Sequence, residues 1–396
     1  MSWTMTPIKK IGEIFDGPHA TPQRLPRGEK YFLNISSLEG GQLDLTHSDF
    51  VSDEDFAQWT RRVTPRADDF LFSYETRLGD AALMPDGIQA CLGRRMALIR
   101  PDQRRIDPRF LLYTWRSPAF REQLAVKSIH GATVDRIPLK ELGNWTITLP
   151  DMATQQAIGE VLGALDDKIA ANQRLIAAIT DLTLTRYQQL SPRPGRQTLA
   201  EVTSIGGGAT PSTKNPSLWD GDVAWATPTD VTGLPGDWIT ATERTISETG
   251  LKSISSPLYP RGSILMTSRA TIGAFALTAM PMTVNQGFIV LNAVDASLQM
   301  WLYAQLRSRV TEFKAWANGA TFLELSKSVF KKLPFHEASM EDMLAFSRTA
   351  QSLLLRSEQA QKENTTLTAV RDELLPQLMS GRITVKDAEK RVEEEV

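Results

Sequence analysis

Cysteine is nearly absent: Cys91 is the only one in 396 residues, so no internal disulfide can form and no thiolate pair is available to a metal. The four histidines, His19, His47, His130 and His336, are dispersed without the short spacings of a zinc site. No apolar run reaches the roughly 18 residues needed to cross a bilayer, and the segment from Met1 to Lys10 lacks the apolar core of a secretory leader. A cytoplasmic protein with no membrane partner is expected. Charge of one sign is also lacking, since 44 basic and 46 acidic residues leave a net −2.

Catalytic signatures are missing as well. Gly206-Gly207-Gly208 is followed by no Gly-Lys-Ser/Thr, which excludes a phosphate loop. There is no dinucleotide fingerprint, and no Asn/Asp-Pro-Pro-Tyr/Phe segment of the kind amino-methyltransferases place around a flipped base. Pro150-Asp151 with Asp166-Asp167-Lys168 imitates a metal-dependent nuclease pattern. That chemistry needs the groups on adjacent strands, whereas Asp166 and Lys168 fall on a helical run and point to different sides, as solvated charges would. No nucleophile elbow or Cys/His pair stands out. The chain is therefore read as non-catalytic, with no catalytic, cofactor or metal residue assigned.

What is present is a repeat. Ala20-Thr21-Pro22 returns as Ala209-Thr210-Pro211, and Gly131-Ala132-Thr133 returns as Gly319-Ala320-Thr321. Between them, Phe70-Leu71-Phe72-Ser73 leading to Gly79 and Leu83 matches Ile264-Leu265-Met266-Thr267 leading to Gly273 and Leu277. A period this long means a duplicated domain. With 41% hydrophobic residues, each copy can bury a core. Short strands are expected at Tyr31 to Ile35, Met96 to Ile99, Val223 to Trp225 and Phe288 to Leu291. Helical turns are expected between Pro108 and Val126, broken at Ser117-Pro118, and near Leu298 to Trp316.

After Pro150 the pattern changes. Ile158, Leu162, Leu165, Ile169, Asn172, Ile176 and Ile179 alternate in steps of four and three, a heptad seam with one polar member. The run of roughly 37 residues makes a rod of about 55 Å. A second, poorer stripe runs through Phe346, Ala350, Leu353, Ala360, Leu367 and Leu374, with Asn364 placed before Leu367 as Asn172 is before Leu175. A buried asparagine in such a seam fixes register at some cost in stability. The expected layout is α+β with a pseudo-two-fold: a β-rich domain at 1–150, a long helix at 151–190, a second domain at 191–335, a second helix at 336–380 and a tail at 381–396. The two long helices pair antiparallel as a coiled coil, with the domains at opposite ends.

Charge supports a division of labour. Residues 1–150 hold 20 basic and 19 acidic residues and 191–335 hold 13 and 10, so both domains are slightly positive while both helical segments are negative. Polar side chains suited to DNA phosphates and base edges recur at matched places. Thr76-Arg77 is matched by Ser268-Arg269-Ala270-Thr271 in the second copy, and Gly93-Arg94-Arg95 by Asn285-Gln286-Gly287, which gives Thr76, Arg77, Arg94, Arg95, Ser268, Arg269, Asn285 and Gln286 as DNA-binding candidates. An alternative is a non-enzymatic coiled-coil scaffold whose β-rich copies bind proteins.

Leu165-Asp166-Asp167-Lys168-Ile169-Ala170-Ala171-Asn172, the Gly-Ala-Thr elements, and Leu367 through Leu374-Leu375-Pro376-Gln377-Leu378-Met379-Ser380-Gly381-Arg382-Ile383 resemble the specificity subunit of type I restriction-modification enzymes. The resemblance implies two target-recognition domains, each contacting half of a bipartite, asymmetric site in double-stranded DNA. It also implies helices that act as a ruler and dock two modification (methyltransferase) subunits, with restriction subunits joining the full complex. Those partners would use S-adenosylmethionine, ATP and Mg; this chain would bind no cofactor.

Overall fold

The computed structural model describes residues 3–130, 134–317 and 323–395. Both Gly-Ala-Thr elements lie outside the described residues. The chain forms two compact units, Met1–Asp167 with Thr366–Val396, and Lys168–Thr365.

In the first unit, strands Gly12–Asp16, Met96–Pro101, Phe70–Ser73 and Ala81–Leu83 form an antiparallel sheet in that spatial order. Strand alternation sends Phe70 and Phe72 to one face, against Trp115 at ring distances of 5.0 and 4.8 Å. Leu71 and Leu98 join Leu33 and Leu92 in the core on the other face. Helices Pro108–Arg116 and Pro118–Lys127 each open on a proline, and Asp107 and Ser117 cap them. The break expected at Ser117-Pro118 is thus one helix ending where the next is capped. A small sheet sets Tyr31–Leu33 antiparallel to Asp49–Phe50 and parallel to Ala90–Leu92.

The second unit repeats this order with Thr203–Gly207, Phe288–Ala293, Ile264–Thr267 and Phe275–Thr278, adding Trp238–Ile239 at the edge. Its small sheet sets Trp219–Ala226 antiparallel to Arg244–Ile246 and parallel to Met282–Val284. Helices Gln299–Ser308 and Val310–Ala315 follow, as expected.

The long helices are Met152–Gln189 and Met340–Met379. Ile158, Leu162, Leu165, Ile169, Asn172, Ile176 and Ile179 are all buried. In the second helix the buried line steps by four and three from Met343 through Ser347, Ala350, Leu354, Ser357 and Gln361 to the half-buried Asn364. The expectation for Leu353 is corrected: Leu354 takes the seam, and Leu353 is only partly buried beside it. Polar residues hold four of these seven seam positions, so apolar spacing does not mark the buried face there. Leu367 and Leu374 are buried.

Within the second unit the helices run antiparallel, Asn172 meeting Asn364 and Tyr187 meeting Phe346. Asn172 Nδ2 donates to Asn364 Oδ1 at 3.0 Å and to Glu363 Oε2 at 2.8 Å, and Asn364 Nδ2 donates to the Ile169 carbonyl at 3.3 Å. Asn172→Ala strips the amide that both acceptors share. It is expected to lower stability by about 1–3 kcal/mol in urea unfolding. Beyond Gly381 the tail forms a further helix, Val385–Glu395, capped through Thr384 and Asp387 and paired to the long helix by Arg391 with Glu373.

Candidate nucleic-acid interface

Two loops of each unit meet at one end of its larger sheet. In the first unit, the loop after Phe70–Ser73 takes a left-handed turn at Thr76 (φ 70°) and at Gly79 (φ 83°). The loop after Ala90–Leu92 carries Gly93, Arg94 and Arg95. Main-chain groups lace them together: the Tyr74 N–H donates to the Arg95 carbonyl at 3.1 Å, and the Ile137 N–H to the Tyr74 carbonyl at 2.8 Å. The Tyr74 hydroxyl donates to the Arg94 carbonyl at 2.5 Å, and burial pushes its pKa up to about 12.

The second unit closes the same junction with different side chains. The Ser268 N–H donates to the Gly287 carbonyl at 2.8 Å, and the Leu325 N–H to the Ser268 carbonyl at 2.8 Å. Left-handed residues recur at Ala270 (φ 58°) and Gly273 (φ 84°). Ser268 therefore stands at the position of Tyr74, and Ala270 at that of Thr76.

A glycine ahead of each Ala-Thr-Pro element completes the junction. A Cβ on Gly17 would lie 2.2 Å from the Gly93 carbonyl oxygen, and one on Gly208 would lie 2.0 Å from that of Val284. Both contacts are to backbone, so only glycine fits without moving the chain. The Gly206-Gly207-Gly208 run is explained by close packing: Tyr259 covers Gly206, Lys327 lies over Gly207, and the Val284-Asn285 backbone covers Gly208. Sequence reasoning passed over Gly17, whose signal was its place before the first Ala-Thr-Pro.

The candidate residues separate into groups. Thr76, Arg77, Arg94, Arg269 and Gln286 are exposed, while Arg95 and Asn285 are half-buried. Arg77 pairs with Asp80 at 2.6 Å, Arg269 with Glu324 at 3.3 Å, and Arg95 lies 3.7 Å from Glu75. Among the described residues Arg94 has no acidic partner. Gln286 accepts from the Thr210 hydroxyl at 2.6 Å, which ties the Ala-Thr-Pro loop to this site. Asn285 is occupied locally, its Oδ1 accepting from the Gly287 N–H at 2.8 Å. Ser268 is a correction: it is 3% exposed and its hydroxyl donates to the Gly287 carbonyl at 3.2 Å, so it presents nothing to a ligand.

Each domain is fastened to the long helices in its own unit by a tyrosine, an arginine and a carboxylate. In the first unit Asp166 accepts from Tyr113 at 2.7 Å, Arg116 at 2.9 Å and Arg371 at 2.7 Å. Burial and the Asp166 charge push the Tyr113 hydroxyl well above its ordinary range. The expectation of a solvated Asp166 is thereby corrected, because three donors converge on it below the surface. Asp151, the other half of the nuclease-like pattern, caps its helix through Thr154. In the second unit Asp237 accepts from Tyr303 at 2.8 Å, from Thr180 of the long helix at 2.6 Å, and from Arg307.

Two diverged copies of one sheet-and-helix domain, each gathering polar loops at a sheet end and clasping a long helix, define a tandem-domain protein. A family model described as the type I restriction modification DNA specificity domain matches residues 2–181 and 196–340, and the chain belongs to that family. It is 33% identical over 178 residues to the type I restriction enzyme MjaIX specificity subunit of Methanocaldococcus jannaschii, 44% of this chain and 41% of that one. It is 30% identical over 188 residues to the HindI specificity subunit of Haemophilus influenzae, 47% of this chain and 40% of that one. These alignments span about two fifths of the relatives' length. The crystal structure of a type I restriction-modification system S subunit from M. genitalium shares the fold, with a TM-score of 0.65 and 16% identity over 95% of this chain and 96% of that one.

Proposed function

We propose that this chain is the DNA-reading subunit of a type I restriction-modification complex. Each unit contacts one half of a bipartite, asymmetric duplex site, and the long helices dock two modification subunits. The chain performs no chemistry itself; partner subunits supply S-adenosylmethionine-dependent methylation and ATP- and Mg-dependent restriction. The observation that carries this reading is the repeated junction: the main-chain frame is the same in both units while the exposed side chains differ, Arg94 in one standing where the other has Gln286. A shared frame with unlike side chains suits two unlike half-sites. The 38-residue first helix, about 57 Å long, fits half-sites roughly one to one and a half duplex turns apart.

Methylome sequencing of a host expressing the chain with its modification subunit tests the proposal. A gapped motif with two unlike halves is expected. A continuous motif overturns the bipartite reading, and no new motif from an assembled complex returns the chain to the scaffold reading.

Phosphate contact gives a separate expectation. Lys327 lies over Gly207, with Nζ 1.8 Å from where a Cβ would sit, and has no acidic partner among the described residues. Burial, and then the neighbouring Lys331, hold its pKa below the usual lysine value. Lys327→Gln in the full complex is expected to weaken binding to all duplexes alike. The slope of log affinity against log salt should fall by about one, read by fluorescence anisotropy across a salt series.

A further inference from the structure

The small sheet of the second unit holds an arginine on an aromatic ledge. The Arg244 guanidinium lies 3.6 Å from the Trp219 ring centre and 5.9 Å from that of Trp225, and the two rings meet edge-on at 5.0 Å. Both rings are buried, and their indole N–H groups donate to the Ser212 carbonyl at 3.1 Å and the Ala209 carbonyl at 3.0 Å. The rings that carry Arg244 thus also hold the Ala-Thr-Pro loop, whose Thr210 is bonded to Gln286. Arg244 is exposed, and its guanidinium has no hydrogen-bond or ion-pair partner among the described residues.

The first unit shows the same place with its charge cancelled. Phe32 pairs with Cys91 and Asp49 across its small sheet, as Trp225 pairs with Thr283 and Arg244. Asp49 therefore occupies the Arg244 position. Arg24 lies 5.4 Å over the Phe32 ring and is bound to Asp49 at 3.1 Å. An arginine over an aromatic ring is common to both units, and only in the second is it free of a carboxylate.

We propose that Arg244 reads a guanine in the half-site contacted by the second unit, an inference that rests on the DNA-reading function above. Stacking on Trp219 occupies one face of the guanidinium and leaves its in-plane N–H fork available, and that fork matches the O6 and N7 acceptors of guanine in the major groove. A side chain already immobilised on two buried rings loses little freedom on binding. Phosphate contact needs charge but no such orientation.

The test uses the full chain with its modification subunit. Wild type, Arg244→Ala and Arg244→Lys are compared by methylome sequencing and by binding to duplexes of the wild-type motif with each guanine of the second half-site replaced in turn by adenine or 7-deazaguanine. Wild type should lose about ten- to a hundred-fold at one guanine in both replacements. Both variants should lose preference at that position alone, while the other half-site is read unchanged. Arg244→Lys keeps the charge without the fork and carries the test if Arg244→Ala fails to fold by thermal melting. Uniform weakening of every duplex, with rescue by lysine, assigns Arg244 to a phosphate and overturns the proposal, as does an unchanged motif. If wild type itself yields no gapped motif, the DNA-reading function fails first, a distinct result.

Discussion

Replacing Asp166 with alanine is expected to cost the first unit about 3–5 kcal/mol, because it leaves two buried guanidinium groups without their shared counter-charge. The Asp166 side chain is 12% exposed, those of Arg116 and Arg371 15% and 13%. Arg371 retains Asp372, at 2.7 Å, whereas Arg116 keeps only its position beside the Tyr113 ring. The Tyr113 hydroxyl loses its acceptor as well. Calorimetric unfolding checks this: a loss of that size in a unit of this length lowers the midpoint by roughly 6–20 °C. Asp167→Ala is the internal control. Asp167 is 65% exposed and pairs with a half-exposed Arg109, so its loss should change stability by less than about 1 kcal/mol. A small effect of Asp166→Ala would mean the three donors find other partners and the clasp carries no weight.

Trp301→Ala is expected to damage the second unit comparably, by about 3–5 kcal/mol. Trp301 is fully buried, 4.8 Å from the Tyr187 ring on the first long helix and 5.5 Å from Phe346 on the second. Its indole donates to the His336 carbonyl at 2.8 Å, and its backbone N–H to the Ser347 hydroxyl at 3.2 Å. Truncation opens a cavity where the recognition domain meets both helices of its unit and orphans the His336 carbonyl. Trp301→Phe, which keeps much of the packing and loses the hydrogen bond, should cost less than half as much. In calorimetry the Trp301 and Asp166 variants should perturb different units. Equal shifts of a single transition would show that the units unfold together.

The duplicated frame was legible because the residues that constrain backbone also repeat: Ala-Thr-Pro, the four-residue strands beginning at Phe70 and Ile264, and the glycines at 79 and 273. The first long helix was legible for the same reason, since its seam is apolar except at Asn172. Where Ser347, Ser357 and Gln361 take seam positions, hydrophobic spacing no longer marks the buried face, and the reading fell on Leu353 instead of Leu354. Asp166 looked like a surface charge because its three donors come from segments distant in sequence. Ser268 was misplaced because a hydroxyl that folds back onto its own junction has the same letter as one that faces outward. Arg244 left no trace in the sequence: its stack on Trp219 and Trp225 exists only through strand pairing, and no motif spacing encodes it.

The loop junctions repeat the same main-chain ties, the backbone N–H groups of Tyr74 and Ser268 reaching equivalent carbonyls although one side chain is a large aromatic and the other a small hydroxyl. A frame fastened in this way is indifferent to what its outward side chains are. Under the DNA-reading function proposed above, mutation can rewrite the recognised alphabet one letter at a time without refolding the domain, and a lineage can acquire a new target without passing through an unstable intermediate.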